Sequence, residues 1–232
     1  MSGQHRARSL WRSGAAVLAV VAAAATAFVV SSSSASAATV VSACDSRAAA
    51  VNAPTPINVA YANPQSSPCV FDSVGLADLN VTVIPGIPLV SGVSANVHAV
   101  KSTTSFAVLP NGAVSTEAQT DVARLQVLAP GLLLQATGIH SQAGVNLNGE
   151  CGGAASGESW LATLTINGKA IPILNKPLTI NVGLRIVVSL NQTIKPNSHE
   201  VTQNTLSITF PDHRYSIVVG QSHAALSCLQ TD

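Results

Sequence analysis

The sequence predicts an all-β chain folded as an antiparallel β-sandwich. Apolar and polar residues alternate with a period of two in many short runs, and alternate side chains of a strand point to opposite faces of its sheet. Turn-forming Pro and Gly residues separate these runs. No amphipathic helix is predicted after the first 37 residues, which leaves a sandwich of long strands, or alternatively an irregular barrel.

The clearest strand signals lie towards the C-terminus. Asn167-Gly168 directly follows the alternating run Trp160–Ile166, and Asn-Gly at such a point predicts a two-residue hairpin turn. Trp160 shares the apolar face of this run and is predicted to lie in the core. The returning strand, Lys169–Leu174, contains Pro172, which has no N–H to donate and therefore belongs at an edge or a bulge. Further strands are predicted at Arg185–Ile194, Leu206–Phe210 and Tyr215–Val219.

The middle of the chain alternates in the same way. Pro110-Asn111-Gly112 and Pro130-Gly131 predict tight turns, because Pro fixes φ and Gly accepts positive φ. The Gly-rich stretch Gly149–Gly157 is expected to be a loop. The strands predicted around these turns are Leu76–Ile84, Gly92–Val100, Thr103–Leu109, Ala113–Leu128 and Leu132–Val145.

The first 37 residues are typical of an export signal. Three arginines precede the apolar run Gly14–Val30, and Ala35-Ser36-Ala37 fits a small-residue cleavage site. The run is at the short end for crossing a bilayer, which favours cleavage before Ala38 over a retained anchor. The expectation is a secreted or cell-surface chain, residues 38–232, without a membrane span.

Four cysteines are the candidate structural residues of the exported part. An even number of cysteines in an oxidising compartment favours disulfides, and four cysteines allow three pairings. Pairing neighbours in the sequence is preferred because each bridge then encloses a self-contained segment. The preferred bridges are Cys44–Cys69 and Cys151–Cys228.

The mature chain is expected to have two parts. Residues 38–69 are punctuated by proline, asparagine and serine, which predicts an irregular N-terminal arm pinned by the first disulfide, with a short strand at Ile57–Tyr61. Residues 70–232 are expected to form a single β-sandwich domain. The second disulfide would enclose its most strand-rich part.

Composition argues against some classes of partner. Only 9% of the residues are charged, and 11 basic residues balance 10 acidic ones without forming a run or a patch. A nucleic-acid partner is therefore not expected. The cysteines and histidines lack the spacing of a metal site, and neither a metal nor another cofactor is expected.

Residues for catalysis do not converge in the sequence. Nucleophile motifs such as G-x-S-x-G are absent. Glu117 and Asp121 would lie on one face of a strand about 13 Å apart, too far for the paired carboxylates of a glycosidase. Glu150 and Glu158 flank the Gly-rich stretch and are interpreted as solvated loop residues. The histidines of the mature chain occur singly, as surface or strand residues do: His98, His140, His199, His213 and His223.

Several strand-and-turn segments resemble a known family. The best matching ones are Leu164–Gly168, Val187–Gln192, Leu206–Ile208 and Ile217–Ala224. They are similar to the choice-of-anchor P family, actinobacterial exported surface domains of undefined function, over roughly Leu79–Cys228. The resemblance implies export and a β fold, and it supplies no catalytic residues.

The function that the sequence favours is that of a non-catalytic, secreted or envelope-associated β domain with a structural or adhesive role. Its expected partners are cell-surface or envelope components. Two alternatives stay open, a secreted hydrolase with a site assembled from scattered residues and a carbohydrate- or metal-binding module. A pocket where a histidine, a carboxylate and a hydroxyl converge would indicate the hydrolase. Exposed aromatic rings or clustered oxygen ligands would indicate the binding module.

Overall fold

Thirteen strands make up most of the described chain. The computed structural model describes residues 39–52, 57–83, 93–148, 151–174, 176–183, 186–210 and 215–229. In chain order the strands are β1 (Thr39–Asn52), β2 (Ile57–Ala62), β3 (Asp72–Val83), β4 (Val93–Val108), β5 (Val114–Ala129), β6 (Leu132–Leu147), β7 (Gly153–Trp160), β8 (Thr163–Ile166), β9 (Lys169–Ala170), β10 (Leu178–Val182), β11 (Ile186–Asn197), β12 (Glu200–Phe210) and β13 (Tyr215–Leu229).

The strands form two antiparallel sheets that pack against each other. Sheet I has the strand order β10-β11-β12-β13-β1-β2, and sheet II has the order β3-β4-β5-β6-β8-β9, with β7 also paired to β6. Neither sheet closes into a barrel within the described residues. The predicted antiparallel β-sandwich is therefore confirmed, and the alternative of an irregular barrel is wrong.

Apolar side chains of the two sheets meet in a large and a small cluster. The small cluster lies towards one end of the strands and includes Val145, Val201 and Leu226. Removing such side chains from water contributes about 25 cal/mol per Å² of apolar surface. In the large cluster the central side chains are at most 1% exposed, and they come from both sheets: Leu125, Leu134, Ile139, Leu206 and Ile208.

A layer of buried hydroxyl groups lies between the two clusters and joins the sheets. Ser141 Oγ donates to the carbonyl of Gln203 at 3.0 Å, and Ser222 Oγ donates to the carbonyl of Ser141 at 3.1 Å. A buried hydroxyl destabilises the fold unless it is bonded, so the layer favours one alignment of the sheets. Equivalent bonds from one sheet to a backbone carbonyl of the other are made by Ser46, Thr120 and Thr205.

Each sheet is crossed by one row of residues that the strand ladders skip. Between β5 and β6 the skipped residues are Ala123 and Gly138, although the pairs on either side keep the same register. Every second residue along each row has a positive φ. We call these rows the kink rows; they are Ala60, Ala48, Gly220, Thr205 and Asn191 in sheet I, and Ala77, Ala99, Ala123, Gly138 and Ala162 in sheet II.

Crossing a kink row reverses which residues of a strand face the core. In β6 the even-numbered residues are buried as far as Ala136, whereas beyond Gly138 the odd-numbered residues from Ile139 onwards are buried. His140 is the exception, since it is buried on the outer side beneath Trp160. A period-two alternation therefore identifies the core-facing residues only as far as the kink row, and beyond the row the other set of residues faces the core.

The prediction that Trp160 lies in the core is wrong for this reason. Trp160 ends β7, and the kink row at Ala162 separates it from β8. Leu164 and Ile166 on β8 are buried as predicted, whereas Trp160 is 42% exposed on the outer face of sheet II. The single face assigned to Trp160–Ile166 thus belongs to two strands with opposite orientation.

The prediction that residues 38–69 form an irregular arm is wrong for most of that segment. β1 lies inside sheet I, between β13 and β2. Ala48, Ala49 and Ala50 have low β-propensity and gave no strand signal, and long-range pairing with β13 overrides that propensity. Residues 63–69 after β2 are irregular as expected.

Other strand boundaries also differ from the prediction. Part of the predicted loop Gly149–Gly157 belongs to β7, which pairs along β6. β4 is continuous where two strands were expected, and β10 was not predicted at all. The returning strand predicted after Gly168 is shorter than expected and consists of the two residues of β9. It lies at the edge of sheet II, which agrees with the restriction that Pro172 imposes.

The disulfides are Cys44–Cys69 and Cys151–Cys228, the pairing preferred from the sequence. The first joins β1 to the irregular segment after β2. The second joins the segment before β7 in sheet II to the end of β13 in sheet I, beside the small apolar cluster. Disulfides of this kind persist in oxidising compartments.

The predicted export signal and Glu150 and His213 lie outside the described residues. Among the residues that the structure describes, no helix is long and apolar enough to cross a membrane.

Candidate functional site

The outer face of sheet II presents a broad polar surface around the exposed ring of Trp160. Cross-strand pairing aligns Lys101 on β4 with Asp121 on β5, then with His140 on β6 and Trp160 on β7. The next outward row contains Thr103, Gln119, Gln142 and Glu158 in the same strand order. These side chains share a face because residues paired directly across an antiparallel sheet point the same way.

Asp121 and His140 form a histidine–carboxylate pair at the centre of this surface. His140 Nδ1 donates to Asp121 Oδ1 at 2.6 Å, and Gln119 Nε2 donates to Asp121 Oδ2 at 2.8 Å. The His140 side chain is 8% exposed, and its Nε2 is buried without a hydrogen-bond partner among the described residues. The carboxylate therefore fixes the plane of the imidazole.

Trp160 stacks on that imidazole. The ring centroids of His140 and Trp160 are 3.6 Å apart, and the ring planes differ by 17°. Since the imidazole covers one face of the indole, the exposed area of Trp160 lies on its opposite face and its edges. The sequence indicated neither the pair nor the stack, because Asp121, His140 and Trp160 come together only through the pairing of three strands.

A shallow trough lies beside this stack, between Glu117 and Glu158. It has a volume of about 390 Å³, and its floor includes Gly144. Gln142 Nε2 donates to Glu117 Oε1 at 2.6 Å, which holds one wall in place. Glu117 and Asp121 lie on the same strand as predicted, and the two carboxylates are hydrogen-bonded to different side chains.

Two further depressions continue the trough. One, of about 290 Å³, shares Glu117 and extends towards Phe71, which is 78% exposed. The other, of about 340 Å³, shares Glu158 and passes over the edge of β7 towards Asn191 on β11. Together they make an interrupted groove across sheet II.

The outer face of sheet I carries a second histidine–carboxylate cluster. His223 Nδ1 on β13 donates to Asp45 Oδ1 on β1 at 3.0 Å, and His223 Nε2 lies 3.5 Å from Glu200 Oε1. Ser66 Oγ also donates to Asp45 Oδ1 at 3.0 Å, and Arg47 Nη2 lies 3.6 Å from Asp45 Oδ2. Asp45 is only 4% exposed, so these partners enclose a charged group.

The environment shifts both pKa values in the directions that favour an ion pair. Burial would raise the pKa of Asp45, but the hydrogen bond and charge of His223, the charge of Arg47 and the hydrogen bond of Ser66 outweigh it, so this pKa is lowered. The hydrogen bond to Asp45 raises the pKa of His223, against burial and with the help of the charges of Asp45 and Glu200.

His223→Gln is expected to destabilise the protein in a pH-dependent way. A raised histidine pKa stabilises the fold fully below the unfolded value of 6.5 and loses that effect as pH rises through the folded value. The lowered pKa of Asp45 stabilises above 3.8 and loses its effect as pH falls through the folded value. Urea unfolding should therefore show a loss of roughly 1.5–3 kcal/mol near pH 5.5 and a smaller loss near pH 9.

His98→Gln provides the matched control. His98 is hydrogen-bonded to Asp78, but these side chains are 46% and 69% exposed, and exposed pairs contribute at most about 1 kcal/mol. A loss for His223→Gln that is the same at both pH values, or no greater than that for His98→Gln, would contradict the assigned role of the Asp45 pair.

A depression of about 550 Å³ lies next to this cluster on the outer face of sheet I. Its lining includes Glu200, His199 and the Cys151–Cys228 disulfide. Ser198 Oγ donates to His199 Nδ1 at 3.2 Å, and His199 Nε2 donates to the carbonyl of Cys151 at 3.1 Å. No carboxylate is hydrogen-bonded to that imidazole among the described contacts.

None of the described histidines has the two partners of a serine-hydrolase triad. A triad needs a hydroxyl on one imidazole nitrogen and a carboxylate on the other. Ser66 bonds to Asp45 instead of to His223, and Trp160 covers the ring of His140. Within the described part of the chain, no three His, Cys, Asp or Glu side chains are placed to hold a metal ion.

Comparisons with known proteins found no relative. No family model matches the chain, and no curated protein and no solved structure is significantly similar to it.

Proposed function

We propose that this protein is a non-catalytic, exported interaction domain that binds a component of the cell envelope through the outer face of sheet II. The observation behind this proposal is the combination found on that face, an exposed Trp160 held flat against His140 beside a groove lined by polar side chains. Exposed aromatic rings of this kind are typical of recognition surfaces, where an amphipathic ring meets a ligand.

Three further features support export and an envelope location. The first 37 residues have the pattern of a signal peptide. The two disulfides suit an oxidising compartment outside the cytoplasm. The resemblance to the choice-of-anchor P family implies the same location.

The experiment measures where the full chain is located in the organism that produces it, and whether the purified protein binds cell envelopes. We expect the protein in the medium or on the cell surface, and we expect the purified protein to sediment with isolated cell envelopes in a saturable manner. Gln142→Ala combined with Glu158→Ala should abolish this binding. Thr179→Ala combined with Thr202→Ala, on the outer face of sheet I, is the matched control and should leave it unchanged.

Two results would overturn the proposal. One is recovery of the chain from the cytoplasm with free thiols, together with no binding to envelopes. The other is hydrolysis of a substrate from an esterase, glycosidase and peptidase panel that is lost in His140→Gln, because that result would identify an enzyme.

A further inference from the structure

The chemistry of the groove on sheet II identifies a class of ligand. Resting on the proposed function, we propose that this groove binds an uncharged polysaccharide, with the indole of Trp160 stacking on a sugar ring and the trough over Gly144 receiving the neighbouring unit. The argument rests on the shape of the groove, its charges and the support beneath Trp160.

The ligand must be recognised by side chains. β4, β5 and β6 are interior strands whose backbone groups are paired on both sides. A peptide therefore cannot add as an extra strand over β4, β5 and β6, because strand addition requires a free sheet edge. A ligand with hydroxyl groups along its length suits a surface of amides and carboxylates, because each hydroxyl both donates and accepts.

The shape of the groove fits an extended chain. Successive depressions share Glu117 and then Glu158, so they follow one another from Phe71, directly before β3, to the edge strand β7. Four strand spacings separate β3 from β7, which is roughly 19 Å. The groove runs across the strands and remains open to solvent, as a polymer that continues beyond its binding site requires.

The charges of the groove disfavour a polyanion. Glu117 and Glu158 are the two walls of the central trough, whose described lining contains no lysine or arginine. Lys101 and Lys176 line the depressions at its two ends. Like charges brought together at an interface oppose binding. Teichoic-acid-like and uronic-acid polymers should therefore bind less well than neutral ones.

Trp160 is held in place before a ligand arrives. Asp121 fixes the imidazole of His140 by a hydrogen bond of 2.6 Å, and the imidazole supports the indole at 3.6 Å. An aromatic ring that is already ordered loses little conformational entropy on binding, which favours affinity. The apolar C–H face of a sugar ring can then pack on the exposed side of the indole.

Tryptophan fluorescence gives a direct measurement. Trp11 and Trp160 are the two tryptophans of the chain, so in the exported form the tryptophan emission comes from Trp160 alone. Purified protein is titrated with soluble β-glucan, mannan and galactan as neutral probes, and with polygalacturonate and poly(glycerol phosphate) as anionic probes. We expect at least one neutral polysaccharide to shift the emission, to protect Trp160 from acrylamide quenching and to retard the protein in a native gel.

Two variants test the site by different means. Trp160→Ala removes the stacking ring and should weaken retardation about tenfold or more. Gly144→Val fills the trough, and a Cβ there would meet its neighbours at 3.6 and 3.8 Å, which is ordinary contact, so the variant should fold and bind about tenfold less tightly. Leu128→Ala, which removes an exposed apolar side chain of β5 that lines none of the three depressions, is the control and should bind normally.

The outcomes separate this inference from the proposed function. Binding to envelopes without binding to any neutral polysaccharide, or binding to the anionic probes alone, overturns the polysaccharide assignment and leaves the interaction domain in place. Polysaccharide binding that survives both Trp160→Ala and Gly144→Val overturns the assigned site. Loss of envelope binding in both variants, in step with polysaccharide binding, supports both proposals.

Discussion

Cys228→Ser is expected to lower the free energy of unfolding by about 4–5 kcal/mol. The Cys151–Cys228 disulfide closes a loop of 77 residues, and the entropy that such a loop removes from the unfolded chain corresponds to about 4.5 kcal/mol at 25 °C. Domains typically have 5–15 kcal/mol of stability in total, so this bridge supplies a large share. Chemical denaturation followed by circular dichroism measures the loss.

The position of the Cys151–Cys228 bridge determines where its loss should loosen the protein. It joins sheet II to sheet I at the end of the sandwich where the smaller apolar cluster lies. Without it, that cluster and the hydroxyl layer must hold the two sheets together at this end. Opening should therefore begin there, and hydrogen exchange of β7 and the end of β13 should accelerate most.

The double variant Cys151→Ser/Cys228→Ser is the control for the free thiol that the single change leaves. Both variants should lose similar stability, because both lack the same bridge. A Cys228→Ser protein that unfolds at the wild-type denaturant concentration would show that the disulfide is not a principal source of stability.

Local signals in the sequence predicted the fold class and the hairpin correctly. Asn167 and Gly168 have φ values of 51° and 76°, the geometry of the two-residue turn that Asn-Gly favours. Asn167 also receives a hydrogen bond from the backbone N–H of Leu133 at 2.7 Å. Such turn signals depend on neighbouring residues alone, which is why they can be read without the structure.

The candidate sites could not be predicted from local sequence signals. Asp45 and His223 are 178 residues apart in the sequence, and the pairing of β1 with β13 brings them together. β1 itself lacks β-branched residues in its centre, so the strand that positions Asp45 was missed. Trp160 was assigned to the wrong face because the kink row interrupts an alternation that looks continuous.

Gly220→Ala is expected to destabilise the protein by roughly 2–4 kcal/mol through the kink row of sheet I. Gly220 has a φ of 66°, and an added Cβ would lie 3.0 Å from Thr205 Oγ1 and 3.1 Å from Ile139 Cγ2. An L-residue in this left-handed conformation costs about 1–2 kcal/mol. Overpacking between Thr205 of sheet I and Ile139 of sheet II adds to that cost.

Gly168→Ala separates the two contributions. Gly168 has a similar φ of 76°, but an added Cβ there meets nothing within 4 Å, so this variant should lose only the conformational part, about 1–2 kcal/mol. Ala60 and Ala99 occupy the kink rows with φ values of 45° and 46°, which shows that the row itself accepts alanine. If urea unfolding gave equal losses for Gly220→Ala and Gly168→Ala, the close approach of the two sheets at Gly220 would not limit the residue there. A larger loss at Gly220 would mean that its contacts with Thr205 and Ile139 leave no room for a side chain where the two sheets meet.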